Sequence, residues 1–194
     1  MASFYEPLPY SVEHKGKTWA ITPAFNNVLS MYVALEDCTD TEKVDVMLYF
    51  LLKRHRYPKD VSLLTSVCNV MFPTTKKRPT ERCFDFIQDS DLIYAAFLQA
   101  YGIDLYKEQG KLHWLKFKAL MDGLPSDTKL SEVISIRLKP LPPATKHNAR
   151  ERMELIRLKQ QVALKISEEE RQANIQAGLA KLANTLLAMG EKNG

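Results

Sequence analysis

KLHWLKFKALMDGLP, residues 111–125, decides the fold, because it crowds His113, Trp114, Lys116, Phe117 and Lys118 into one short run. Three readings compete: a base-stacking platform, part of an active site, or an amphipathic helix. A platform needs its rings exposed beside the cations. The helical spacing instead gathers Trp114, Phe117, Leu120 and Met121, with Leu112, Leu115 and Ala119, on one wide face. Lys111, Lys116, Lys118 and Asp122 fall on the other side, where lysine stems can lie along the helix with their ammonium groups in water. The stretch reads as a core helix stopped by Gly123 and Pro125, with His113 at the edge of the packing beside a polar neighbour.

Outward from this helix, the pattern remains helical. Towards the N-terminus, Tyr10–His14 and Lys17–Ile21 flank Lys15-Gly16 and predict a β-hairpin. Thr22-Pro23 then predicts a helix start, with Phe25, Val28, Leu29, Tyr32 and Leu35 as its apolar stripe. A second helix, capped by Thr39, Asp40 or Thr41, carries Val44, Met47, Leu48, Leu51 and Leu52, and puts Lys53, Arg54, His55 and Arg56 in its last turn and just beyond. A third starts at Asp60 and turns Val61, Leu64, Val67, Cys68 and Met71 inward. PTTKKRPTE, residues 73–81, is an exposed loop. Asp89 or Ser90 caps a helix that ends at Gly102. Beyond residue 125, a helix capped by Ser126 or Asp127 runs to Leu138.

Lys139-Pro140-Leu141-Pro142-Pro143-Ala144 cannot continue a helix and favours an extended spacer. The expected organisation is a mainly α-helical domain with a small N-terminal β-hairpin over residues 1–139, a proline-rich spacer at 140–144, and an amphipathic helical C-terminal extension over 145–194. Two helices are predicted in the extension, at 145–166 and 167–189, the second opening on the capping box Ser167-Glu168-Glu169-Glu170. Leu155, Leu158, Val162 and Ile166 form a narrow stripe on the first, and Ile175, Leu179, Leu182 and Leu186 form another on the second. Such a pair buries its apolar side on the domain, on each other, or on another chain.

Composition agrees with a globular protein: 194 residues, 45% hydrophobic and 26% charged. A net charge of +4 is mild for a nucleic-acid binder. Lys53-Arg54-His55-Arg56 and Lys76-Lys77-Arg78 are short basic clusters that a solvated helix end and a solvated loop explain equally well. Cys38, Cys68 and Cys83 lack CxxC pairing and fit reduced, buried thiols. The N-terminal run has no secretory pattern, and no stretch approaches the roughly eighteen apolar residues of a membrane span.

Overt chemistry is sparse. Asp85, Asp89, Asp91 and Asp104 match no EF-hand loop, and helix capping accounts for them. His14, His55, His113 and His147 are scattered, with no zinc spacing. No glycine-rich phosphate loop and no GxSxG elbow occurs. No catalytic residue, metal ligand or cofactor is expected.

Tyr94–Leu105, Leu112–Leu120 and Leu124–Val133 nevertheless carry an aromatic-rich signature that resembles the bacteriophage "gp fifteen" family of tail-morphogenesis regions in long-tailed phages and prophages. The resemblance spans about residues 10–140, with the Thr22-Pro23-Ala24-Phe25 segment fitting the family's N-terminal organisation. It implies a tail assembly chaperone that binds the tape-measure protein and tail-tube subunits in the host cytoplasm and is absent from the finished particle. It transfers no catalytic residue. The stripe Leu155, Leu158, Val162, Ile175, Leu179, Leu182 and Leu186 is the expected partner contact. Self-association is a further option, while membrane and nucleic acid are not expected partners. The alternatives are a structural virion component, as in tail completion or head–tail joining, and then a nucleic-acid-binding accessory protein.

Overall fold

The computed structural model describes residues 6–53, 56–73 and 83–165. Strands β1 (Ser11–His14) and β2 (Lys17–Ala20) form an antiparallel hairpin, with Val12 opposite Trp19. Its two-residue turn needs positive φ at both positions, and Lys15 (49°) and Gly16 (70°) supply it. The tip is fastened to the start of a later helix. Lys15 Nζ donates to Asp60 Oδ2 at 2.7 Å, and His14 Nδ1 lies 3.0 Å from Ser66 Oγ.

After the hairpin the chain stays extended instead of entering a helix at Thr22-Pro23. Thr22 N donates to Leu51 O (2.9 Å), Lys53 N to Ala20 O (3.0 Å), Phe25 N to Leu112 O (2.9 Å) and Trp114 N to Pro23 O (2.6 Å). Residues 20–24 are thus held between two distant segments, and the Thr22 hydroxyl goes to Phe50 O (2.6 Å) instead of capping. Helix α1 therefore begins at Phe25 and runs to Glu36.

Helix α2 (Asp40–Leu51) opens on a capping box in which Glu42 Oε2 accepts from the Thr39 backbone N (3.1 Å) and hydroxyl (2.7 Å). The helix stops before Lys53, so the basic run lies beyond its last turn; Arg54 and His55 are outside the described residues. Helix α3 (Val61–Met71) is capped by Asp60, whose carboxylate accepts from Ser62 N at 2.8 Å. Its inward stripe is Leu63, Val67 and Met71, whereas Val61, in the first turn beside the polar Lys15–Asp60 contact, is 64% exposed. Of the expected inward face, Val67 and Met71 are buried and Leu64 and Cys68 half-buried; Val61 points out, and Leu63, which the expectation left out, points in.

Helix α4 (Ser90–Tyr101) ends on Gly102 in the left-handed conformation, as its sequence demands. Helix α5 (Trp114–Asp122) is the opening stretch, and it starts later than the periodicity implied, leaving Leu112 in the preceding turn and Ala119 exposed. Helix α6 (Lys129–Leu138) is capped by Thr128, not by Ser126 or Asp127, because residues 125–128 first make a turn. The Thr128 side chain accepts from Ser131 N (3.3 Å) and is buried.

Helix α7 spans Ala149–Gln161, shorter than expected at both ends. It packs on α6, and the proline-rich segment folds back to it: Asn148 Nδ2 donates to Pro143 O (3.0 Å) and Arg152 to Pro142 O. The described residues thus form seven helices and one hairpin, a mainly α single domain. No helix among them is long and apolar enough to cross a membrane.

Candidate functional site

The opening helix supplies the centre of the core. Phe117 is buried and stacks on Phe25 of α1 (centroids 4.9 Å apart), on Phe97 of α4 (5.0 Å) and on Trp114 (5.7 Å). Phe86 and Phe72 meet Trp114 edge-on at 5.9 and 6.1 Å. Lys116 and Lys118 are exposed on the opposite side. The rings are therefore spent on packing, and no stacking platform is available there.

His113 is not at the edge of this packing: it is 2% exposed and serves as the N-cap of α5. Its Nδ1 accepts from Leu115 N at 3.0 Å, which leaves the proton on Nε2, 3.0 Å from Pro9 O. Burial pushes its pKa below the ordinary 6.5, Lys116 adds to this, and the Pro9 carbonyl opposes it. Histidine is an uncommon cap, and only the position of His113, one residue ahead of the apolar face, hinted at the role.

The scattered acids and histidines do not converge. Asp89 pairs with Arg137, and Asp85 Oδ1 accepts from Ile87 N and Gln88 N, both at 2.8 Å. Asp104 accepts from Tyr106 N (3.1 Å). No group of three or more possible metal ligands occurs among the described residues. His14, Ser62 and Asp60 do come together, with His14 Nε2 3.2 Å from Ser62 Oγ and 3.6 Å from Asp60 Oδ2. Both partners sit on the same ring nitrogen while Nδ1 faces Ser66, so the carboxylate does not orient the imidazole towards the serine as in a catalytic triad. These groups fasten the hairpin to α3.

The feature that the sequence reading missed is a groove along α1. Phe25, Phe117, Ile93 and Leu105 make its floor, and Leu29, Val33, Phe86, Tyr94 and Tyr106 its walls, around a cavity of about 300 Å³. Among the described residues, no ionisable side chain apart from the tyrosines lines it. Leu29 and Phe86 also border a second hollow of about 440 Å³, formed with Tyr32, Leu35 and Ile87 and rimmed by Glu36, Lys43 and Asp85. Helix α1 thus borders both hollows, with Phe25, Leu29 and Val33 at the first and Leu29, Tyr32 and Leu35 at the second.

Large apolar side chains are left in water along it: Val33 is 49% exposed, Tyr106 69%, Ile87 46% and Tyr32 40%. Exposed apolar side chains in such a row leave apolar area in contact with water. The Tyr106 wall is anchored, since Gly110 N donates to Asn26 Oδ1 at 2.8 Å and ties the 104–110 turns to α1. Such a trough suits one face of an amphipathic helix, whose apolar anchors recur every three or four residues. Tyr32, Val33 and Ile87 were legible only as members of helical or turn segments; their common exposure depends on tertiary packing.

The expected partner stripe divides at residue 165. Leu155 is buried, and Leu158 and Val162 are half-buried where α7 meets the body. Ile166, Ile175, Leu179, Leu182 and Leu186 lie outside the described residues, as do the Ser167 capping box and the Lys76-Lys77-Arg78 cluster. Cys38, Cys68 and Cys83 are all unpaired and half-buried.

Fold and groove together define the class: a small helical domain with an N-terminal hairpin and an open apolar trough between its helices. The chain belongs to the bacteriophage Gp15 protein family, whose model matches residues 4–164. That match takes in α7 as well as the hairpin and the aromatic core, and so extends past the proline-rich segment. No curated protein and no solved structure matches the chain. Membership makes this a phage protein and suggests a structural or morphogenetic role in the phage.

Proposed function

We propose that this protein is a phage tail assembly chaperone, holding the tape-measure protein in the host cytoplasm until tail-tube subunits take over, and leaving before the particle is complete. The observation that carries the reading is the groove along α1, a built trough with exposed Val33, Tyr106 and Ile87. Long tape-measure helices expose apolar stripes that otherwise coalesce, and a trough of this chemistry covers such a stripe reversibly. Release follows by competition once the tube subunits offer more apolar area. The mechanism breaks and forms no covalent bond and needs no cofactor.

Co-expression with the tape-measure protein of the same phage tests it. The full chain should raise the soluble fraction of that protein; an unchanged fraction overturns the holding role. Val33→Glu and Tyr106→Glu alter exposed groove walls without touching the buried core, and each should weaken capture by roughly tenfold, the scale of one interface hot spot. The rival reading, a structural virion component, predicts stoichiometric protein in purified particles by mass spectrometry.

A further inference from the structure

Helix α7 is joined to the body more loosely than its neighbours. It is rich in charge, and of its apolar side chains Leu155 alone is fully buried. The contiguous core takes in Leu130 of α6 but neither Val133 of that helix nor Leu155 of α7, although both are buried. The docking of α7 on α6 is therefore a satellite of the main core. Between residues 161–165 and the body lies a hollow of about 340 Å³, lined on the body side by Gln88, Asp89, Leu92, Val133 and Arg137. Unfilled space at a contact forfeits dispersion attraction.

The side-chain hydrogen bonds of this segment divide by end. At its start they are internal: Asn148 Oδ1 accepts from Thr145 N (2.9 Å), Asn148 Nδ2 donates to Pro143 O (3.0 Å), and Arg152 donates to Pro142 O. Residues 142–148 are thereby tied to α7 itself. The bonds to the body fall in residues 159–165 and reach Arg137 and Gln88. Lys159 Nζ donates to Arg137 O (2.5 Å), and Arg137 Nε donates to Val162 O (2.6 Å). Gln88 Oε1 accepts from Lys165 N (2.7 Å) while its Nε2 donates to Lys165 O (2.9 Å). Lys139, Pro140 and Leu141, all exposed, join α6 to this unit.

From this division we infer that residues 142–165 form a hinged clasp, which pivots at 139–141 and is caught at its far end by Gln88 and Arg137. Opening leaves the body intact, because both bonds of the Arg137–Asp89 pair lie between α6 and the start of α4. It uncovers Leu92 and Val133 on the body, and Leu155, Leu158 and Val162 on the clasp. The catch consists of hydrogen bonds to backbone groups, which water replaces at little net cost. The fold thus keeps an apolar strip covered while closed and offers it when open. This device adds to the chaperone reading without depending on it.

Amide hydrogen exchange of the full chain, followed by NMR, reads the opening. A helix of 13 residues is marginal in water by itself, so α7 loses its hydrogen bonds whenever it detaches. The amides from Arg152 to Gln161 should exchange together, and faster than those of α4 and α5. Gln88→Ala removes part of the catch at an exposed position and should speed α7 exchange severalfold while leaving α1–α3 unchanged. Exchange of α7 no faster than that of α4 and α5 overturns the clasp. So does protection that falls off residue by residue towards Gln161, which is the pattern of end fraying, and so does an unchanged α7 rate in Gln88→Ala.

Discussion

Arg137 and Asp89, 48 positions apart, close a bidentate ion pair at 2.6 and 2.9 Å with both side chains nearly out of solvent. The guanidinium also donates to Cys83 O (3.1 Å) and Val162 O (2.6 Å), and the Arg137 carbonyl accepts from Lys159 Nζ (2.5 Å). One side chain on α6 thereby holds the start of α4, the segment before it and the end of α7. Asp89 sits at the N-cap position of α4, yet its carboxylate is turned to Arg137 and to Asp85 N (2.9 Å).

Removing one partner of this pair strands a buried charge. Arg137→Met should destabilise the protein by about 3–5 kcal/mol in urea unfolding. Adding Asp89→Leu should recover part of that loss, because the stranded carboxylate is gone. A double variant as unstable as the sum of both singles would show that the two side chains act independently.

His113 makes stability depend on pH. Its folded pKa lies below the unfolded 6.5, through burial first and Lys116 second, so between the two values the unfolded chain binds more protons. The contribution is complete above about pH 6.5 and falls as pH drops from there through the folded pKa. Protonating Nδ1 also aims a hydrogen at the Leu115 N–H. His113→Asn keeps a cap acceptor for α5 and should flatten this part of the pH profile in thermal melts.

Phe117 is the shared face of three ring stacks, so Phe117→Ala should cost about 3–5 kcal/mol. Trp114→Phe should be much milder, on the order of 1 kcal/mol, because the buried indole N–H has no hydrogen-bond acceptor to lose. Chemical denaturation of the two variants ranks them.

Gly102 ends α4 at φ 65° with open space where a Cβ would stand. Gly102→Ala should therefore cost about 1–2 kcal/mol through backbone strain alone. Gly102→Asn should cost less, since asparagine visits this conformation more readily. Equal losses would point to a steric cause.

The fold was legible where local chemistry and tertiary need coincide. The Lys15-Gly16 turn, the Thr39 box and the Gly102 stop all read directly because each satisfies its own backbone. It was misread where distant backbone groups compete, as at Thr22-Pro23, whose extended course is imposed by residues 51–53 and 112–114. On α3, Val67 and Met71 read correctly, but Val61 and Leu63 are equally apolar and their period does not decide which is covered. The groove was invisible for a related reason. Leu29 and Tyr32 fit a buried stripe by period, but the elements around α1 leave the outer flank uncovered.

The bonds from Phe25 to Leu112 and from Trp114 to Pro23 carry a consequence for biosynthesis. The phenyl ring on the first helix gains its stacking partner only once the ribosome has delivered α5. Nascent chains halted ahead of Lys111 leave one face of that ring without its aromatic cover, which favours premature aggregation or proteolysis. Translation past this point, more than closure of the hairpin, times the moment at which the polypeptide becomes safe in the cell.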